Sequence, residues 1–317
     1  MPLNILLSVA GFFILIKCAD FFVEGASSFA KNLKIPASVI GLTIVAFGTS
    51  APELAISFNS RLSGNADMLF GNVIGSNIAN ILVILGLAVL IVPFQICNDV
   101  IKKEIPILLL VTLGLSTLFL DNLFDPSRAN SLTRADGVTL ILFFSIFVYY
   151  LITLLSDGKN KNANETPRYK TLKSVIIIAL GLTGVILGSG LVVDNVAAFA
   201  ERIGISQKII SVTIISIGTS LPELVTTVMA AKKGENNMAI GNIVGSNIFN
   251  ACIVLGLPVI VLGEAATAAF NAVDMTFMSL SVVLLWIFSS TNRKLKRYEA
   301  VIFMLVYCGY GGYILMQ

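Results

Sequence analysis

Apolar runs about twenty residues long, parted by short polar breaks, fill the chain from end to end. A helix crossing a hydrocarbon core about 30 Å thick needs roughly 20 such residues. Ten stretches qualify: 3–29, 37–60, 69–93, 105–121, 136–155, 172–199, 207–231, 238–263, 271–290 and 298–316. The pattern predicts an all-α membrane protein with ten transmembrane helices. One break is longer and more polar than the rest, Ser156–Thr171, which reads SDGKNKNANETPRYKT. Its Lys and Asn content marks a linker.

The polar positions inside the apolar runs are not scattered. Gly48-Thr49-Ser50-Ala51-Pro52-Glu53-Leu54 returns as Gly218-Thr219-Ser220-Leu221-Pro222-Glu223-Leu224, 170 residues later. GNVIGSNIAN at 71–80 returns as GNIVGSNIFN at 241–250, with seven of ten positions identical. Between 41–58 and 211–228, eight of eighteen match. The chain is therefore an internal repeat, with a first five-helix half at 1–155, a linker at 156–171 and a second half at 172–317. Five helices is an odd number, so equivalent helices cross in opposite directions. That predicts two inverted-topology repeats, an architecture of secondary transporters that expose one site to either side.

Composition agrees. The 317 residues are 56% hydrophobic and 12% charged, with a mean hydropathy of +0.91; a soluble domain carries roughly 25% charged residues. A net charge of +3, with no basic block, gives no reason to expect nucleic acid as a partner. There is no histidine, and Cys18, Cys97, Cys252 and Cys308 are far apart, which argues against zinc, haem or iron–sulfur chemistry. No cofactor and no obligatory protein partner is expected. The residues before the first apolar run hold no Lys or Arg, so a cleavable signal is not expected. Charge between the spans sets orientation. Fifteen Lys and Arg fall on the side of the central loop and five on the other. The central loop is expected in the cytoplasm and both termini outside, in a cell (inner) membrane.

The doubled motifs carry the chemistry. Proline lacks an N–H, so Pro52 and Pro222 release the carbonyls of Gly48 and Gly218, four residues back. In hydrocarbon such carbonyls must meet protein, water or an ion. Both helices should break near mid-membrane, with loose backbone around Ala46 and Ser216. Glu53 shares a face with Thr49, and Glu223 with Thr219. Ser50 and Ser220 project nearby; Ser76 with Asn80, and Ser246 with Asn250, form two more i, i+4 faces. Gly71, Gly75, Gly241 and Gly245 would allow close helix approach, and Asn77 and Asn247, off those faces, read as structural. Every candidate ligand is a hard oxygen, which suits Ca²⁺ and Na⁺. Two buried carboxylates repel, and a shared cation relieves that cost. Competition between two cations for one Glu pair would couple their movements. A proton could serve as the competitor instead. A channel would usually build its ligand ring from several subunits, and a hydrolase would need a nucleophile and base that are thin on the ground here.

GTSAPEL with GNVIGSNIAN, and GTSLPEL with GNIVGSNIFN, resemble the two α-repeats of the cation/Ca²⁺ antiporter superfamily, in particular prokaryotic-type sodium/calcium exchangers. The resemblance covers essentially the whole chain. It implies a Ca²⁺ site on Thr49, Glu53, Thr219 and Glu223. It implies flanking Na⁺ sites that add Ser50, Ser76, Ser220, Ser246 and the carbonyls of Ala46 and Ser216, with Asn80 and Asn250 lining the middle. It also implies that the first and sixth helices slide across the other eight. Asn250 stands where K⁺-dependent relatives carry Asp, which implies K⁺ independence. No Gly-Asn-Ala-x-Glu phrase of the proton-coupled branch occurs, and a sixteen-residue linker is too short for a regulatory domain.

Overall fold

The computed structural model describes residues 2–125, 127–156, 166–204 and 216–316. It is helical but for one pair of short strands. The helices are α1 (Pro2–Leu33), α2 (Ala37–Thr49), α3 (Ala51–Leu62), α4 (Ala66–Ile91), α5 (Ile105–Phe119), α6 (Arg134–Ser156), α7 (Thr171–Arg202), α8 (Ser216–Thr219), α9 (Leu221–Lys232), α10 (Asn236–Leu262), α11 (Ala272–Asn292) and α12 (Arg297–Met316). Strands β1 (Asn130–Leu132) and β2 (Ala265–Thr267) pair antiparallel, Asn130 opposite Thr267.

Among the described residues, six helices are long and apolar enough to cross a membrane, and seven if α2 and α3 count as one bent span. The stretches at 105–121 and 298–316 form helices but fall outside that set. Of the run at 207–231, residues 207–215 lie outside the described residues.

The breaks fall where proline places them. α2 stops at Thr49 and α3 starts at Ala51, at an angle of 43°. Ser50 between them has φ −86° and ψ 7°, and Ser220 between α8 and α9 has φ −88° and ψ 5°. The same residue type leaves the helix with the same backbone geometry in both repeats. Proline then sits in the first turn of the next helix, where no N–H is needed. α3 and α9 each end in a left-handed glycine, Gly64 at φ 73° and Gly234 at φ 77°.

The chain packs as two compact units, which cut across the sequence repeats. One is Met1–Pro52 with Gly158–Asn242; the other is Glu53–Asp157 with Ile243–Gln317. In the first unit, α1 lies along α7. Glycines make that seam: a carbon added at Gly181 would stand 2.8 Å from the Phe22 backbone, and one at Gly188 2.8 Å from the Leu15 nitrogen. Leu15, Ala19 and Val185 form its dry centre. Close approach also occurs at Gly241, against the Ser38 carbonyl. A carbon added at Gly75, expected to do the same, would meet no neighbouring element within 4 Å among the described residues, and one at Gly71 would meet only the Phe270 ring. In the second unit, Phe70 stacks near Phe119 with ring centroids 4.7 Å apart, and α11 starts on a capping box of Asn271 and Asp274.

Candidate functional site: two buried carboxylates at broken helices

Glu223 lies on the first turn of α9, one turn past the Ser220 break, and is 1% exposed. Its Oε1 accepts a hydrogen bond from Ser50 Oγ at 2.9 Å. Its Oε2 is buried and takes no hydrogen bond among the described residues. A buried carboxylate oxygen without a donor is costly, and a cation is the natural way to lower that cost. Thr49 and Thr219 are both buried in the same unit, as is Ser220. Thr49 Oγ1 donates toward the Ala46 carbonyl and the Asn242 amide oxygen, each at 3.3 Å. The Ala46 carbonyl also receives the Ser50 N–H at 3.0 Å, which closes the last turn of α2, so the backbone expected to be loose around Ala46 is bonded there and the break falls at Ser50 instead. Ser216 opens α8.

One freed carbonyl finds a partner the motifs do not reveal. Ser189 Oγ, from α7, donates to the Gly218 carbonyl at 3.0 Å. That is the group Pro222 releases. The position 170 residues earlier is Ala19, which has no hydroxyl.

In the second unit, Glu53 sits on α3 and is 1% exposed. Its backbone carbonyl accepts from Asn72 Nδ2 at 3.0 Å, and the same amide reaches Ser57 Oγ at 3.0 Å. Asn72 thereby pins the turn that carries Glu53 to α4. The first unit has the repeat's own version: Asn242 Nδ2 holds Thr227 Oγ1 at 2.8 Å and Thr226 Oγ1 at 3.2 Å. Asn72 and Asn242 were not singled out from sequence. The signal was available, since each follows the first Gly of a repeated phrase and an amide kept inside an apolar run needs partners.

Asn77 and Asn247, read from sequence as structural, bond each other, while Asn77 Oδ1 is buried with no hydrogen bond among the described residues. Asn77 Nδ2 donates to the Asn247 carbonyl at 3.2 Å and Asn247 Nδ2 to the Asn77 carbonyl at 3.0 Å. Asn80 Nδ2 adds a bond to Asn247 Oδ1 at 2.9 Å. Asn80 Oδ1 and both amide atoms of Asn250 are buried with no hydrogen bond among the described residues. Ser76 and Ser246 are buried on α4 and α10, within the same unit. Asn80 and Asn250 each open a π-helical turn, Asn80–Leu85 and Asn250–Val254. In the second, the Leu255 N–H reaches back five residues to the Asn250 carbonyl at 3.1 Å. Such turns are frequent at functional sites because the extra residue re-aims side chains and carbonyls.

The donor set is thus carboxylate, hydroxyl, amide and carbonyl oxygen on both sides of the division. Among the described residues, no three His, Cys, Asp or Glu gather. Oxygens of these kinds suit hard cations such as Ca²⁺ and Na⁺ better than softer metals.

These features define a multi-pass, helical membrane protein with two copies of a motif that buries a carboxylate at a helix break. A model of the family described as "Sodium/calcium exchanger protein" matches residues 3–153 and 173–316, so the chain belongs to that family. CaxA of Alkalimonas amylolytica is 38% identical over 315 residues, covering 95% of each chain. Sodium/calcium exchanger MaX1 of Methanosarcina acetivorans is 32% identical over 345 residues, covering 98% of each. A solved structure of the sodium-calcium exchanger NCX_Mj superposes with a TM-score of 0.84 at 28% identity, over 98% of each chain. The family is one of transporters rather than enzymes.

Proposed function

We propose that this chain exchanges Na⁺ for Ca²⁺ across a membrane by alternating access, with the two ions competing for Glu53 and Glu223. Ca²⁺ balances the two carboxylates, and Na⁺ ions replace it on overlapping oxygens. Thr49 and Thr219 complete the Ca²⁺ set. Ser50, Ser76, Ser220, Ser246 and the carbonyls of Ala46 and Ser216 serve Na⁺, and Asn80 and Asn250 line the path. Sodium and calcium are substrates here, and no cofactor takes part.

The observation that carries this reading is the Glu223 carboxylate. It is buried, steadied on one oxygen by Ser50, and open to a ligand on the other. It stands at a helix break that the chain builds twice, in a member of the exchanger family. The architecture proposed around it is ten spans in two inverted five-helix repeats. Repeat-equivalent Asn77 and Asn247 exchange the same bond with each other, as residues beside a two-fold axis do, which supports the inversion. The packing of α1 against α7 in one unit supports their role as a moving pair. The uncharged Asn250 supports independence from K⁺. The Lys and Arg asymmetry supports a cytoplasmic central loop and outward termini, and the relative YrbG of Escherichia coli, 34% identical over 293 residues, is named an inner membrane protein.

The test is ⁴⁵Ca²⁺ uptake into Na⁺-loaded proteoliposomes, with wild type, Glu53→Gln and Glu223→Gln. Uptake should require the outward Na⁺ gradient, survive a proton ionophore, ignore K⁺, and vanish in both variants. Uptake that follows the proton gradient instead, or that persists when both Glu residues are neutralised, would overturn the reading.

A further inference from the structure

A pocket of about 550 Å³ is lined by residues of the second unit alone. Its walls are Asn98, Ile101, Lys102, Trp286, Ser290 and Arg293. It forms where the entry to α5 meets the end of α11. The backbone there is fixed: Ile96 N–H bonds the Arg293 carbonyl at 2.8 Å, and Leu295 N–H bonds the Phe94 carbonyl at 3.1 Å. Arg293 itself caps α11 in the left-handed conformation, φ 53°. Ahead of α5, the chain makes a π-helical turn at Val100–Glu104, in which the Ile105 N–H reaches the Val100 carbonyl. The Ile101 carbonyl is thereby released, and Trp286 Nε1 donates to it at 3.1 Å. That bond sets the indole as one wall.

The charges at this wall are of one sign. Lys102 and Arg293 form no ion pair among the described residues, whereas neighbouring Asp99 is already matched by Lys103 at 2.9 Å. Among the described residues, no carboxylate lines the pocket. Asn98 adds an amide donor. A half-exposed tryptophan beside two free cations, at the end of membrane helices, is the chemistry of a lipid headgroup boundary. Basic pockets between such helices take anionic headgroups.

We propose that this pocket binds the phosphate headgroup of an anionic phospholipid such as phosphatidylglycerol or cardiolipin. The phosphate sits between Lys102 and Arg293, and an acyl chain runs along the Trp286 face. The proposal is independent of which ions are exchanged.

Trp286 is the sole tryptophan of the chain, so its fluorescence reports on this pocket alone. The experiment reconstitutes the full chain in phosphatidylcholine bilayers doped with acyl-brominated phosphatidylglycerol or acyl-brominated phosphatidylcholine, and reads quenching. Two cations near the headgroup give a preference for the anionic lipid of roughly 30-fold, about fivefold each. Lys102→Gln/Arg293→Gln should abolish that preference while an unchanged thermal unfolding midpoint in detergent confirms folding. Equal quenching by the two lipids overturns the proposal. So does a preference that survives in the double variant. So does a saturable response to inorganic phosphate in pure phosphatidylcholine bilayers without any preference for the anionic lipid, which would make free phosphate the ligand.

Discussion

The turn joining α3 to α4 and the turn joining α9 to α10 are the same backbone built twice, yet each is tied down differently. In the first, Gly64 N–H bonds the Arg61 carbonyl and Asn65 N–H the Ser60 carbonyl; in the second, Gly234 bonds Ala231 and Glu235 bonds Ala230. Asn65 then caps its own helix through the Met68 N–H. Arg61 reaches the Glu264 carbonyl at 2.8 Å, beyond the end of α10. The second turn instead grips α1: Lys233 pairs with Asp20 at 2.9 Å, and Glu235 meets both Ser27 and Lys31. The repeat has kept the motif and its break while changing what each copy is fastened to. One copy's turn belongs to the packing unit of α1 and α7, the other's to the unit of α4, α5 and α6. Duplication supplies matching motifs; divergence of the fastenings leaves the two turns in different packing units.

The largest test of this contrast is at the carboxylates. If the ligands are used alike, Glu53→Gln and Glu223→Gln should each lower exchange by roughly 100-fold or more, the scale for removing one charge from a buried set. Unequal losses, with one variant near wild-type flux, would show that only one copy still binds. Next comes the shared seam. Asn77→Ala and Asn247→Ala should each cost about 1–2 kcal/mol, measured by thermal unfolding in detergent. Asn247→Ala should cost more, because it also strips Asn80 of its acceptor. The double variant should cost about the sum, since both acceptors are backbone carbonyls and each single change leaves the other bond in place.

Smaller still are the fastenings themselves. Glu235→Ala should loosen the end of α1, raising hydrogen exchange across 24–33 roughly fivefold for a loss of about 1 kcal/mol. Arg61→Ala should leave that segment untouched and raise exchange at 262–264 instead. If both variants loosen the same segment, the two turns are not fastened to different bodies.

What could be read from the chain was what the repeat and proline dictate. A doubled Gly-Thr-Ser-x-Pro-Glu inside apolar runs forces a break and buries a carboxylate, whatever surrounds it. The ten apolar stretches placed most helices to within a few residues, although the first described residue of the seventh stretch is Ser216. The supporting contacts were hidden because they join distant elements through single side chains. Asn72 and Asn242 look like any polar residue in a small-residue phrase until their partners are known. The glycine seam was sought at Gly71, Gly75, Gly241 and Gly245, inside the repeated phrase, and of these Gly241 makes a close approach, to the Ser38 carbonyl. A run of close approaches also lies along α1 and α7, where glycine spacing is irregular and outside the repeat's strongest match. The π-helical turns at Asn80 and Asn250 leave no mark on hydrophobic period, because one extra residue in a fully apolar helix exposes nothing polar. The packing units were equally hidden, since similarity between halves records how segments arose and says nothing about what they pack against.

Ser189 gives the finest cut between the two copies. Its hydroxyl holds the carbonyl that Pro222 frees, so the α8–α9 break is braced by α7, whereas the first repeat has Ala19 at the matching position, packed with Leu15 and Val185. Both breaks abut α7 all the same: a carbon added at Gly48 would meet Leu182, and one at Gly218 would meet Val193. The difference is therefore the hydroxyl and not the neighbour. Ser189→Ala removes one hydrogen bond inside a membrane protein, worth on average about 0.6 kcal/mol. Hydrogen exchange around 218–226 should rise roughly threefold, and exchange around 48–56 should not change. If α7 moves during transport, that bond must be made and broken in each cycle, and the variant should shift the Na⁺ concentration for half-maximal exchange more than the maximal rate. An unchanged exchange pattern at 218–226 would mean that proline and the Ser220 turn hold the break by themselves.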